Sequence, residues 1–243
     1  MRALTFLLAF IAGAVDVIGF LGLGGLFTAH VTGNLVILAA HLAVGADASL
    51  ALLISVPTFI LALAATRLAE AGLERAMIGP LPVLLFVQLV LLCALLGVCV
   101  AASPAESPSA PMLIVAAMLG VCAMGVQAAL VRIALPGAPA TAVLTTNITL
   151  LTVDIGEMLL GKDVDGVRQA RERAGKTWPA VAGFLFGCAL GAPLEGSFGL
   201  RALTLPTACA LVAFALGVMR RPSLSQHPGA INGQKPSLLE SRS

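Results

Sequence analysis

The chain has 243 residues, 59% of them hydrophobic and 11% charged, with a mean hydropathy of +1.02 and a formal net charge of +2. Soluble domains carry about 25% charged residues, so this chain has too few polar side chains to face water on all sides, and lipid must cover it. So small a charge, spread over scattered basic residues, excludes a nucleic-acid surface.

A spanning helix needs about 20 mostly apolar residues, and six segments meet that length: about 3–26, 50–69, 80–102, 111–135, 177–196 and 199–219. The first opens like a signal peptide, with Arg2 and the small residues Ala12 to Ala14, but the apolar pattern runs on past them and is read as an uncleaved span. Between the strong segments lie two weaker ones, 28–44 (TAHVTGNLVILAAHLAV) and 139–160 (PATAVLTTNITLLTVDIGEMLL). Both hold too much Thr, Asn and ionisable side chain for a lipid-facing helix. Turn chemistry places breaks near Asp47, along 103–111 and at 136–139. The stretch 161–176 carries five Lys/Arg and suits a cytoplasmic loop, partly helical, while 221–243 is polar, rich in Pro, Gly and Ser, and reads as a disordered cytoplasmic tail. Residues 1–220 therefore form one transmembrane domain.

That domain carries an internal repeat with halves at about 3–102 and 111–219. TAHVTGN at 28–34 and TAVLTTN at 141–147 match at Thr28, Thr32 and Asn34 against Thr141, Thr145 and Asn147. Gly13 precedes the first copy and Gly125 the second. Basic residues choose between topologies, because cytoplasmic loops collect Lys and Arg. Eight crossings would leave 10 of the 14 Lys/Arg inside, whereas six crossings, with the two polar segments re-entrant, leave 13 inside and only Arg201 outside. Six crossings also make the halves inverted copies and put both termini in the cytoplasm.

The run AGAVDVIGFLGLGGLFTAHVTGN, Ala12 to Asn34, resembles the signature of the YoaK-like family of uncharacterised bacterial inner-membrane proteins. Matching residues are Ala12, Gly13, Asp16, Gly19, Phe20, Gly24, Gly25, Phe27, His30, Thr32, Gly33 and Asn34, and the likeness extends over roughly 3–220. The resemblance implies a polytopic protein of the bacterial inner membrane and carries no substrate or catalytic residue with it.

Chemistry must come from the polar residues themselves. Asp16 lies in the middle of the first span, where a bare carboxylate costs at least about 2.5–3.5 kcal/mol. Arg132, on the matching segment of the other half, is its candidate partner; the alternatives are a structural ion pair and a proton- or cation-coupled site. His30 and Asn34 are four apart, on one helical face. They and the Thr residues either cap short helices or, with Asn147, line a solute site between two half-helices. His30 has no counterpart, since Val143 stands at its position. Asp154 and Glu157 suit a wetted helix end, Gln88 and Gln127 a bond between helices, and Glu195 and Arg201 a surface pair. Gly183, Gly187 and Gly191 form a ladder for close packing, within the monomer or at a dimer face. The five cysteines have no ligand spacing and read as core thiols.

No GxSxG, HExxH or P-loop is present, so neither an enzyme nor a primary pump is expected. The expected protein is all-α and polytopic, with six spanning helices plus two shorter polar, re-entrant ones. Its expected work is passive or proton-coupled movement of a small solute through Asp16, His30, Thr32, Asn34, Arg132, Thr145 and Asn147, with Gly13 and the glycine ladder for packing. The alternative is a non-transporting scaffold or regulator that packs through the Gly183–Gly191 face. No metal or cofactor is expected, and its partners are lipid, a solute and a second copy of the chain.

Overall fold

Where water is excluded, the backbone must satisfy its own hydrogen bonds, and an α-helix does so within one segment. The computed structural model describes residues 2–45, 49–101, 110–161 and 163–219, and every regular element among them is helical. In chain order these are α1 (Arg2–Gly22), α2 (Val31–Ala43), α3 (Leu50–Arg75), α4 (Pro80–Ala101), α5 (Ala110–Ala134), α6 (Leu144–Leu160), α7 (Val164–Phe198) and α8 (Thr204–Met219), with a 3₁₀ turn at Gly199–Leu203. The break at Asp47, most of that along 103–111 and the tail 221–243 lie outside the described residues.

Five stretches are long and apolar enough to cross a membrane, and the last of them, Val164–Met219, takes in both α7 and α8. In α1, 72% of the apolar window is buried, against 22% in α3 and 33% in α4. α1 is thus enclosed by protein, while α3 and α4 present most of their side chains outward.

Side-chain meetings fix the helix directions. Gly183 lies at Phe6, Gly187 at Phe10 and Gly191 at Ala14, so α7 runs parallel to α1. Gln127 reaches the Leu8 carbonyl, while Gly120 lies at Thr28, which itself packs on Gly19, so α5 runs the opposite way. Thr58 meets Met118 and Ala62 meets Gly125, which sets α3 alongside α5 in the same sense. α4 opposes α5 through Gln88–Gln127 and Leu95–Gly120, and the end of α8 at Gly217 sits against Leu85 and Leu81 near the start of α4. The helices α1, α3, α4, α5, α7 and α8 therefore alternate along the chain: α1, α4 and α7 point one way, α3, α5 and α8 the other.

The α1–α7 seam depends on missing side chains. A Cβ at Gly13 would strike the Phe184 carbonyl, one at Gly183 the Phe6 carbonyl and one at Gly187 the Phe10 carbonyl. Backbone meets backbone there, and no rotamer change can relieve the clash. Because α1 fills the ladder within the chain, the Gly183–Gly191 face is closed to a partner, and the scaffold reading loses the surface it named.

The expected span 177–196 is only the later part of α7. That helix starts at Val164, where the Asp163 side chain accepts the backbone N–H groups of Asp165 and Gly166. Counting apolar residues misses its charged first turns. These pack against α6, and Arg173 Nε donates to Asp154 at 2.8 Å. Asp154 is consequently buried rather than wetted, and of the two carboxylates only Glu157 faces outward. Glu195 and Arg201 form no ion pair.

Candidate functional site

After Gly22 the chain doubles back into the body. Gly24 and Gly25 hold φ angles of +76° and +78°, a conformation that glycine adopts without strain. The returning segment ends at Asp16, whose carboxylate accepts the backbone N–H of Ala29 at 2.7 Å and of His30 at 3.3 Å, together with the Thr28 hydroxyl at 3.4 Å. His30 Nδ1 lies 2.6 Å from the other carboxylate oxygen. These donors, and the positive N-terminal end of α2, offset the cost of a carboxylate two-thirds of the way along α1. Asp16 is buried, while about a third of the His30 side chain remains open.

Asn34, fully buried in the first turn of α2, clamps the same segment. Its Nδ2 donates to the Phe27 carbonyl at 2.8 Å and to Ser55 Oγ at 3.1 Å, and its Oδ1 accepts the Phe27 N–H at 2.9 Å. Phe27 stacks on Phe20 with ring centroids 4.5 Å apart, and the His30 ring stands edge-on to Phe184 at 5.3 Å.

A second polar cluster lies near the other end. Gln127 donates to the Leu8 carbonyl and to Thr141 Oγ1, each at 2.9 Å, and accepts from Gln88 Nε2 at 2.6 Å. Asn147 donates to the Ala140 carbonyl, seven residues back, the same reach that Asn34 makes to Phe27. α6 starts just beyond Thr141, near the level of Leu8, and returns to the end of the bundle where α1 begins, since Asp154 meets Arg173, just before α7 reaches Arg2 at Gly175. α2 likewise starts at the level of Asp16. Eight residues of α1 separate the two levels, about 12 Å at 1.5 Å per residue.

Gln127 is the second cluster's single joint. Gln127→Leu is expected to lower stability by about 2–3 kcal/mol, because the Gln88 amide and the Leu8 carbonyl lose a buried partner. Denaturant unfolding of the purified protein checks this, and the Gln88→Leu/Gln127→Leu double variant should lose less than the sum of the two single losses.

Several expectations change. Arg132 does not pair with Asp16, because His30 occupies that place; Arg132 is exposed and lines a cavity of about 130 Å³ with Ala140 and Thr141. No threonine side chain caps α2 or α6, since Asp16 and the Asn side chains hold the entering segments instead. Thr32 and Thr145 are exposed and stand apart from both clusters. Ser55 and Phe184 were not anticipated. Ser55 had a signal, as the lone serine of a long apolar helix, whereas nothing in the sequence places Phe184 beside His30.

Apolar helices of this length around buried polar clusters define a multi-pass integral membrane protein. The model of the family described as "Protein of unknown function (DUF1275)" matches residues 4–216, and the chain belongs to that family. No curated protein and no solved structure matches it.

Proposed function

We propose that the chain crosses the bacterial inner membrane six times, with both termini cytoplasmic, and that it moves a small solute coupled to protons without acting as an enzyme. The observation that carries this reading is the Asp16–His30 pair, 2.6 Å apart inside the helical body and partly open on the histidine side. Ionisable side chains inside a membrane span are costly, and paired ones of this kind mark solute and proton pathways. The alternating directions of α1, α3, α4, α5, α7 and α8 support six crossings. α2 and α6 then enter from opposite faces as short helices that begin inside the protein, the layout of inverted-repeat transporters. The matching reaches of Asn34 and Asn147, with Thr28 at Asp16 and Thr141 at Gln127, support inverted halves. The Ala12–Asn34 run supports the likeness to the YoaK-like family.

Topology is tested first, with single cysteines in a cysteine-free background and a membrane-impermeant thiol reagent. Val44→Cys is expected to label from outside, with Glu74→Cys and Val164→Cys protected. Labelling of Glu74→Cys from outside, with Val44→Cys protected, would mean eight crossings and overturn the inverted halves. Coupling is then read in proteoliposomes carrying an internal pH dye, challenged with a panel of small solutes. Solute-driven proton movement should be present in the wild type and lost in Asp16→Asn. Solute uptake that is equal in the two proteins and indifferent to the proton gradient would replace the coupled reading with a passive channel.

A further inference from the structure

Two adjoining cavities open at the end of the bundle where α1 begins, and Arg2 and Ala3 line both. One, of about 680 Å³, lies between Arg2, Thr5, the turn 136–139 and Lys176. The other, of about 380 Å³, runs over Phe6, Leu7, Trp178 and Leu216. Neither Arg2 nor Lys176 forms an ion pair among the described residues. The Arg2 guanidinium lies against α7 at Gly175, where a Cβ would stand 3.0 Å from Nη2, so a glycine there leaves room for it. Trp178, half exposed, is the only tryptophan of the chain, and tryptophan favours the depth of lipid headgroups.

We propose that these two cavities form one binding site for an anionic phospholipid. Its phosphate sits between Arg2 and Lys176, and an acyl chain lies along Phe6, Leu7 and Leu216, with the Trp178 ring at the boundary. Charge complementarity selects the occupant: two cations at one end of an apolar furrow favour a headgroup of net negative charge, whereas a zwitterionic lipid brings an ammonium group toward the same cations.

The lone tryptophan makes the site directly readable. The full chain is reconstituted in vesicles of phosphatidylcholine and phosphatidylglycerol, with brominated acyl chains on one lipid or the other, and quenching of Trp178 fluorescence is measured. Brominated phosphatidylglycerol is expected to quench at lower mole fraction, with a preference of about tenfold, the order that two nearby cations supply. The Arg2→Gln/Lys176→Gln variant should quench equally with either lipid, and Arg2→Lys should keep the preference. Equal quenching by both lipids in the wild type overturns the proposal whatever the variants do, as does a preference that survives in the double variant. Loss of the preference on adding glycerol phosphate would identify a site for free phosphate and overturn the lipid assignment.

Discussion

Gly187→Leu is expected to abolish the folded protein, and Gly187→Ala to destabilise it by about 3 kcal/mol, the upper end of ordinary overpacking. The ideal Cβ at this position collides with the Phe10 carbonyl and stands 2.8 Å from the Ala14 backbone nitrogen. Both are backbone atoms of α1, so relief requires moving a helix and not a side chain. Accommodating the methyl would open the α1–α7 seam along its length and separate Gly13 from Phe184 as well. Gly196→Ala is the control: it lies in the same helix with nothing within 4 Å of its Cβ, and alanine should be neutral or stabilising by up to about 1 kcal/mol. Monodisperse yield and denaturant unfolding of the three variants measure the contrast. Equal behaviour of Gly187→Ala and Gly196→Ala would contradict the seam.

Asp16→Leu is expected to cost about 3–5 kcal/mol, because it leaves the buried Thr28 hydroxyl, the Ala29 and His30 N–H groups and the half-buried His30 ring facing an apolar side chain. Asp16→Asn should cost only about 1 kcal/mol. Its Oδ1 can still accept from Ala29, and its Nδ2 can donate to His30 once the ring adopts the other tautomer. The two substitutions therefore separate a structural role from a chemical one. Unfolding measurements should rank Leu far below Asn, while proton movement should fail in both. If Asn and Leu were equally damaging to stability, the carboxylate would be acting mainly through its charge against the start of α2, and not through hydrogen bonds.

The long helices were legible because lipid leaves so few choices: an apolar run of sufficient length has to be helical, and the windows 50–69, 80–102 and 111–135 fall on α3, α4 and α5. The polar segments were legible as exceptions, since Asn34 and Asn147 stood out against their surroundings and both prove to be buried. Partners were harder to foresee. Place in the repeat pairs Asp16 with Arg132, yet the turn at Gly24 and Gly25 brings His30 back to it from fourteen residues away, and no periodicity encodes a reversal of that kind. The first turns of α7 were hidden for a related reason: charges that pack on α6 look, in one dimension, like a solvated loop.

The seam between α1 and α7 has a consequence for synthesis. α1 leaves the ribosome well before its main partner α7, and the contact from Cys188 to the Gly13 carbonyl spans 175 residues. At about 5–20 residues per second, α1 waits on the order of ten seconds or more for α7. Its carboxylate is relieved early, because the segment before α2 emerges soon after it, but the face of Phe6, Phe10, Gly13 and Ala14 stays bare until α7 arrives. A chain broken off before that point therefore leaves this face of α1 uncovered as well as its own broken end.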